Sequence, residues 1–344
     1  MSESTQPIDS PAPPPAIPKA NADSGVSFRG NPVLRRELVD RVRGAKAVVF
    51  LTLWLALLTA ILLLAYQGIT ATSDFDSIDV NRLGRVGREL YEWVLFGMLL
   101  LVLFLVPGLT AGTITGERER QTLVPLQMTM MRPIDIIVGM LSAALAFLVL
   151  LVIAATPLLA VSFLVGGVGL LDVVRGVGML LFTGLVLGSV CVWISARLRR
   201  TTAATVLAYG ATFLFAIGSL GGLLTYSIID ASRGFDDVNP PAELFALNPA
   251  AAIADSLPRN TIRDQFGFEE TFTPFGGLRL AIDELDRDRD EFGQQVFEVD
   301  EDGFPANDRG PRIWLYYTIA GVLVLVVSTK RAARLVSTPA ESER

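Results

Sequence analysis

Histidine is absent from this 344-residue sequence, and only one cysteine, Cys191, is present. Without histidine the chain has no Ser-His-Asp triad, no HExxH zinc site and no histidine proton relay. A single cysteine cannot form a disulfide within the chain. The sequence also lacks a GxxxxGK[S/T] string, so it cannot bind ATP phosphates in a P-loop. We therefore predict that this chain is not an enzyme by itself and holds no metal site and no cofactor.

Charged residues are almost missing from six long hydrophobic blocks. Hydrophobic residues make up 51% of the sequence and concentrate in residues 47–67, 93–112, 134–165, 173–195, 202–229 and 313–329. Because a helix needs about 20 apolar residues to cross a bilayer, the blocks predict an all-α polytopic membrane protein with about six transmembrane helices. Only Asp135 and Arg175, each near the end of a block, are charged. Ion-coupled carriers usually place ionisable groups at mid-membrane, so a secondary carrier is disfavoured.

The segments outside the blocks predict four further regions. Residues 1–28 are rich in proline, serine and alanine, which is typical of a disordered tail. Residues 29–46 predict an interfacial amphipathic helix, with Leu34 and Leu38 on one face and Arg35, Arg36 and Glu37 beside them. Residues 230–312, between helices 5 and 6, hold more than two acidic residues for each basic one and predict an exofacial domain. Residues 330–344 form a second tail.

The exofacial segment shows two local patterns. Leu278, Ile282 and Leu285 recur at helical spacing, and residues 296–299 resemble a strand that enters a turn. Together they predict a small α/β cap. This cap motivates an alternative function, in which the protein is a membrane-anchored interaction or assembly protein of the cell envelope.

Basic residues predict the orientation of the helices. Arginine and lysine crowd into residues 29–46, 118–132, 197–200 and 330–344, whereas the short loops on the other side balance arginine with acidic residues. Positive charge beside the membrane favours the cytosol, so both termini are predicted to be cytosolic. Arginine far outnumbers lysine, which is typical of GC-rich bacterial genes. We therefore predict a multi-pass protein of the bacterial cell (inner) membrane.

A charged loop, residues 113–133, follows the second block. Its central sequence, GERERQTLVPL over residues 116–126, suits a short helix that lies on the cytosolic surface. Spacing alone leaves two interpretations open: a docking element for a partner protein, and an ordinary solvated loop with weak ion pairs.

Glycine recurs at every fourth position before this loop, at Gly108, Gly112 and Gly116. Small residues at this spacing let helix backbones approach closely in lipid. We favour packing within one subunit and keep a dimer seam as the alternative.

Residues 108–140, GLTAGTITGERERQTLVPLQMTMMRPIDIIVGM, closely resemble a loop of ABC-2-type transporter permeases. In that family a GERE-like sequence followed by Thr-Leu forms the coupling helix that contacts the ATPase. The resemblance assigns this role to Glu117, Arg118, Glu119, Arg120, Thr122 and Leu123. Pro125 stands where many members carry a helix former, which predicts an early end or bend of that helix. Residues 31–38, NPVLRREL, also resemble the start of family members.

The resemblance implies the permease subunit of an ATP-driven transporter, more often an exporter than an importer. Separate ABC ATPase subunits would bind ATP and Mg and would dock on the loop. A second permease subunit, identical or related, would complete the path among membrane lipids. No nucleic acid takes part.

Overall fold

The computed structural model describes residues 45–71, 80–122, 132–233, 247–257, 273–276, 278–279 and 313–337. The helices in chain order are α1 (Ala45–Ala71), α2 (Val80–Thr110), α3 (Thr113–Glu119), α4 (Pro133–Val165), α5 (Leu170–Arg197), α6 (Thr201–Arg233), α7 (Pro249–Ser256) and α8 (Ile313–Ser337). None of the described residues lies in a strand.

Six helical spans within the described residues are long and apolar enough to cross a membrane. They are Val48–Ile69, Gly84–Glu119, Pro133–Val165, Leu170–Arg197, Thr201–Gly218 and Ile313–Ser337. The predicted all-α membrane protein with six transmembrane helices is therefore confirmed.

Two helices extend well beyond their hydrophobic blocks. Helix α2 begins at Val80 rather than near residue 93, and α8 continues to Ser337 rather than ending near residue 329. Both extensions carry charged residues, which a hydropathy pattern places outside the membrane. Helix α4 continues through Pro157 to Val165.

Several predicted segments lie outside the described residues. They are the tail 1–28, the interfacial segment up to residue 44 with Leu34, Arg35, Arg36, Glu37 and Leu38, and most of the exofacial domain 230–312, including its predicted strand 296–299. The described parts of that domain are the end of α6, α7 with its flanking residues, and residues 273–276 and 278–279.

Helix α5 lies at the centre of the bundle, where small residues let its neighbours approach. A Cβ atom added at Gly184 would lie 2.6 Å from Cδ2 of Leu148 in α4, and one at Gly188 would lie 2.9 Å from Cδ1 of Leu141. On α8, a Cβ at Gly321 would lie 2.7 Å from the ring of Phe182. Close backbone approach of this kind is how helices gain packing energy in lipid.

Two hydrogen bonds join α5 to α8 inside the bundle. Tyr317 shares a hydrogen bond of 3.0 Å with the Thr183 hydroxyl, and Ser328 donates to Ser189 Oγ over 2.8 Å. All four side chains are buried or nearly so. Hydroxyl pairs satisfy each other where lipid offers no partner, so they fix the relative register of the two helices.

The basic residues gather at one end of the bundle. There, Ile114 of α3, Ile137 of α4, Val192 of α5 and Ala332 of α8 belong to one buried apolar cluster. Next to these residues along the chain stand Arg118, Arg120, Arg132, Arg197, Arg199, Arg200, Lys330, Arg331 and Arg334. We call this the basic end, and the other the opposite end.

Candidate functional site

The short helix α3 begins against α5 at the basic end. Its first residue follows Gly112, which has no side chain to cap the helix. Instead, the Ser195 hydroxyl oxygen of α5 accepts the backbone N–H groups of Ile114 and Thr115, each at 3.1 Å. Ser195 and both amides are buried, so a hydroxyl from another helix satisfies donors that would otherwise be orphaned.

Replacing Ser195 with alanine is expected to loosen the start of α3. The change leaves two buried N–H groups without this acceptor, at about 1–3 kcal/mol for an unsatisfied group. We expect amide hydrogen exchange of Ile114 and Thr115 to accelerate about ten-fold or more. Exchange followed by mass spectrometry on the solubilised protein measures this. Ser142→Ala is the control, because the Ser142 hydroxyl donates to the Gly139 carbonyl of its own helix rather than to α3. Equal exchange in both variants would contradict the capping role.

A Schellman turn ends α3. The N–H of Thr122 donates to the Glu117 carbonyl at 2.9 Å, and the N–H of Gln121 donates to the Arg118 carbonyl at 3.1 Å. Gln121 has a φ of 56°, the left-handed conformation that this turn requires. The helix thus ends at Glu119, several residues before Pro125, and the turn rather than the proline marks its end.

Arg118 reaches the connection between α5 and α6. Its Nη1 donates to the carbonyl of Leu198, the residue that caps α5, at 2.8 Å. The carbonyl groups at a helix C-terminus lack partners within the helix and carry partial negative charge. A guanidinium therefore suits this position in both hydrogen bonding and charge.

Glu119 reaches the other side of the same connection. Its Oε1 accepts the backbone N–H of Thr201, the first residue of α6, at 2.7 Å. A carboxylate at a helix N-terminus satisfies a free donor and matches the positive end of the helix dipole. The positive Arg118 thus complements the C-terminal end of α5, and the negative Glu119 complements the N-terminal end of α6.

The other residues of the motif form an exposed surface at the end of α3. Arg120 and Thr122 are exposed, and Glu117 is half-buried. The Thr122 hydroxyl donates to the Glu117 carboxylate. Leu123 lies outside the described residues. The structure therefore divides the predicted coupling residues into two sets. Arg118 and Glu119 bind the α5–α6 connection, although Glu119 is itself exposed. The second set is Glu117, Arg120 and Thr122, and we call these three the exposed group.

The predicted glycine series lies beside α6. A Cβ at Gly108 would lie 2.9 Å from the Tyr209 hydroxyl, and one at Gly112 would lie 3.2 Å from Cγ2 of Thr201. Nothing lies within 4 Å of a Cβ at Gly116. The first two glycines thus face another helix of the same chain, while the dimer seam stays a prediction.

The opposite end carries a buried ion pair that sequence reasoning missed. Arg279 Nη2 lies 2.9 Å from Glu92 Oε1, and the two side chains are 14% and 3% exposed. Arg279 Nε also donates to the carbonyl of Ala254 in α7 at 2.9 Å. Nearby, Phe275 packs edge-on against Phe96. Residues 273–276 and 278–279 are thereby attached to α2 and α7.

A sequence signal for this pair existed but was incomplete. Glu92 directly precedes the second hydrophobic block, and such a carboxylate is normally assigned to the surface. Its partner is remote along the chain, in a segment of mixed composition, so no local pattern connects the two.

The sequence profile of the family described as ABC-2 family transporter protein matches residues 32–330. This range covers most of the chain and includes α1 to α7 and the GERE motif. The chain belongs to the ABC-2 family of transporter proteins. A search of curated proteins found no match. As an ABC-2 protein with six membrane-spanning helices among its described residues, it is a multi-pass transport permease, the transmembrane component of its transporter.

Proposed function

We propose that this ABC-2 protein is the permease subunit of an ATP-driven exporter, powered by separate ATPase subunits. The observation that carries the proposal is the exposed end of α3, where Glu117, Arg120 and Thr122 stand together at the basic end. Both signs of charge at one rigid helix end suit a charged groove on a partner. ATP and Mg belong to that partner, because this sequence has no P-loop.

The arrangement of charge supports a cytosolic position for α3. The basic residues on α5, its connection to α6, and α8 lie at the same end of the bundle as α3. Positive charge next to a membrane favours the cytosolic side, where ATP is available. Because α1 starts and α8 ends at this end, both termini are cytosolic in the proposal, which sets the protein in a bacterial inner membrane.

The packing of the bundle supports a second permease subunit. Buried apolar side chains of α2, α4 and α5 fill the space between these helices in one continuous cluster. The substrate path is therefore proposed to lie between two permease subunits rather than through one. The apolar spans favour a hydrophobic or amphipathic substrate.

Reversing the charges of the exposed group is expected to release the ATPase. We expect a P-loop ATPase to co-purify with the tagged protein from its native membrane in mild detergent. In Glu117→Lys/Arg120→Glu, which keeps the net charge, the captured ATPase should fall at least ten-fold, about 1.4 kcal/mol of binding free energy. Quantitative mass spectrometry of the eluates measures this.

Arg331→Glu provides the control, because Arg331 is an exposed arginine of α8 at the same end. The amount of ATPase captured by this variant should stay within two-fold of wild type, a difference of roughly 0.4 kcal/mol in binding free energy. Equal capture by the wild type and the double variant would remove α3 as the docking element. Absence of any ATPase after crosslinking would favour the envelope-interaction alternative.

A further inference from the structure

The contacts of Arg118 and Glu119 join α3 to the α5–α6 connection. Both side chains bind backbone groups of the α5–α6 connection, at Leu198 and Thr201. The hydrogen bonds are 2.8 and 2.7 Å long, in the short range of charge-assisted bonds. These two contacts form a clasp between α3 and the connection. Each bond uses only one atom of its side chain, but it fixes the position of that side chain against the connection.

The clasp acts together with two other contacts between the same elements. Ser195 holds the start of α3 on α5, and Gly112 lies directly against Thr201 of α6. Helix α3 is therefore fixed at its start and at its end to the two helices that the connection joins. As long as these contacts hold, a movement of the exposed group is transmitted to α5 and α6.

We infer that Arg118 and Glu119 are positioning residues that make α3 and the α5–α6 connection move as one unit during the transport cycle. The inference rests on the proposed function, since it takes the exposed group as the surface on which the ATPase acts. Glu117 and Arg120 bind the ATPase, whereas the clasp transmits its movement to two transmembrane helices. Substitutions of Glu117 and Arg120 should therefore affect ATPase binding, whereas substitutions of Arg118 and Glu119 should affect ATP hydrolysis without affecting binding.

The first arm of the test breaks the clasp. Arg118→Gln/Glu119→Gln removes both charges and leaves the exposed group unchanged. We expect capture of the ATPase within two-fold of wild type, but ATP hydrolysis by the purified complex in lipid nanodiscs at least ten-fold lower. A general loss of folding would lower ATPase capture as well. Normal capture together with reduced ATP hydrolysis therefore identifies a positioning role.

The second arm replaces the clasp with a covalent bond. A Cβ at Gly112 lies 3.2 Å from Cγ2 of Thr201, so cysteines at these two positions would stand side by side, as a disulfide requires. The cysteines at 112 and 201 are introduced with Cys191→Ala, because Cys191 packs beside Ala111. Gly116→Cys with Thr201→Cys is the control pair, since a Cβ at Gly116 meets no atom within 4 Å.

Oxidation should restore ATP hydrolysis to the clasp variant with cysteines at 112 and 201, and a reductant should abolish it again. The control pair should neither crosslink nor recover. Loss of hydrolysis on oxidation in the variant with an intact clasp would overturn the inference, because α3 and α6 would then separate during the cycle. Loss of ATPase capture in the clasp variant would also overturn it, by making these residues part of the docking surface. Absence of an ATPase from the wild type would instead refute the proposed function.

Discussion

Replacing either Glu92 or Arg279 with leucine is expected to destabilise the protein by up to about 3–5 kcal/mol. Arg279→Leu leaves the buried Glu92 carboxylate without its partner, and a lone buried charge is far less stable than a paired one. The Glu92 side chain is only 3% exposed, so water cannot replace the lost guanidinium. The loss should be smaller in Glu92→Leu, because Arg279 is 14% exposed and keeps its bond to the Ala254 carbonyl. The midpoint of thermal unfolding in detergent should fall by several degrees in each single variant.

The double variant Glu92→Leu/Arg279→Leu distinguishes the effect of losing the ion pair from the effect of leaving one charge unpaired. Replacement of a buried ion pair by apolar residues is often neutral or stabilising, so the double variant should unfold closer to wild type than either single variant. Additive losses would show that the two side chains do not interact, and would contradict the ion pair between Glu92 and Arg279.

Alanine at Gly167 is expected to destabilise the protein by about 3 kcal/mol or more. Gly167 has a φ of 80°, and a left-handed conformation adds about 1–2 kcal/mol for other residues. A Cβ there would also overlap the carbonyl oxygen of Gly84 in α2, and overpacking adds typically 1–3 kcal/mol. The affected contact joins α2 to the α4–α5 connection, where the guanidinium of Arg88 also donates to the Gly167 carbonyl.

Three alanine variants separate the two causes in the same unfolding assay. Gly166→Ala has a φ of 106° and no atom within 4 Å of its Cβ, so it tests the backbone conformation alone. Gly87→Ala is helical, and its Cβ would overlap the Gly166 carbonyl, so it tests the overlap alone. Gly178→Ala has neither problem and should stay within about 1 kcal/mol of wild type. If Gly167→Ala unfolds no more readily than Gly178→Ala, the two backbones are not in contact.

The sequence predicted the membrane-spanning helices well because the signal is local. An apolar run of sufficient length leaves a helix few alternatives in lipid, and six runs correspond to six spans. The start of α2 was missed for the same reason, since hydropathy assigns Arg88 and Glu92 to a loop. Their partners, the Gly167 carbonyl and Arg279, make the longer helix possible.

The GERE motif shows how far a sequence pattern reaches at a site. The resemblance gave one role to all its residues, and the structure gives them different surroundings. Glu119 bonds to a residue 82 positions away and Arg118 to one 80 positions away. Spacing within the motif contains no information about these partners, so it cannot separate a docking residue from a positioning one.

The membrane-spanning blocks, the family resemblance and the charged loop can all be found from sequence alone, because length, hydropathy and a short motif are properties of neighbouring residues. The packing of the helices determines which charges find a partner within the protein, as Arg118, Glu119 and Glu92 do. The physical reason is that a charge is stabilised by whatever partner the packed helices bring to it. Here those partners are helix ends and a remote arginine.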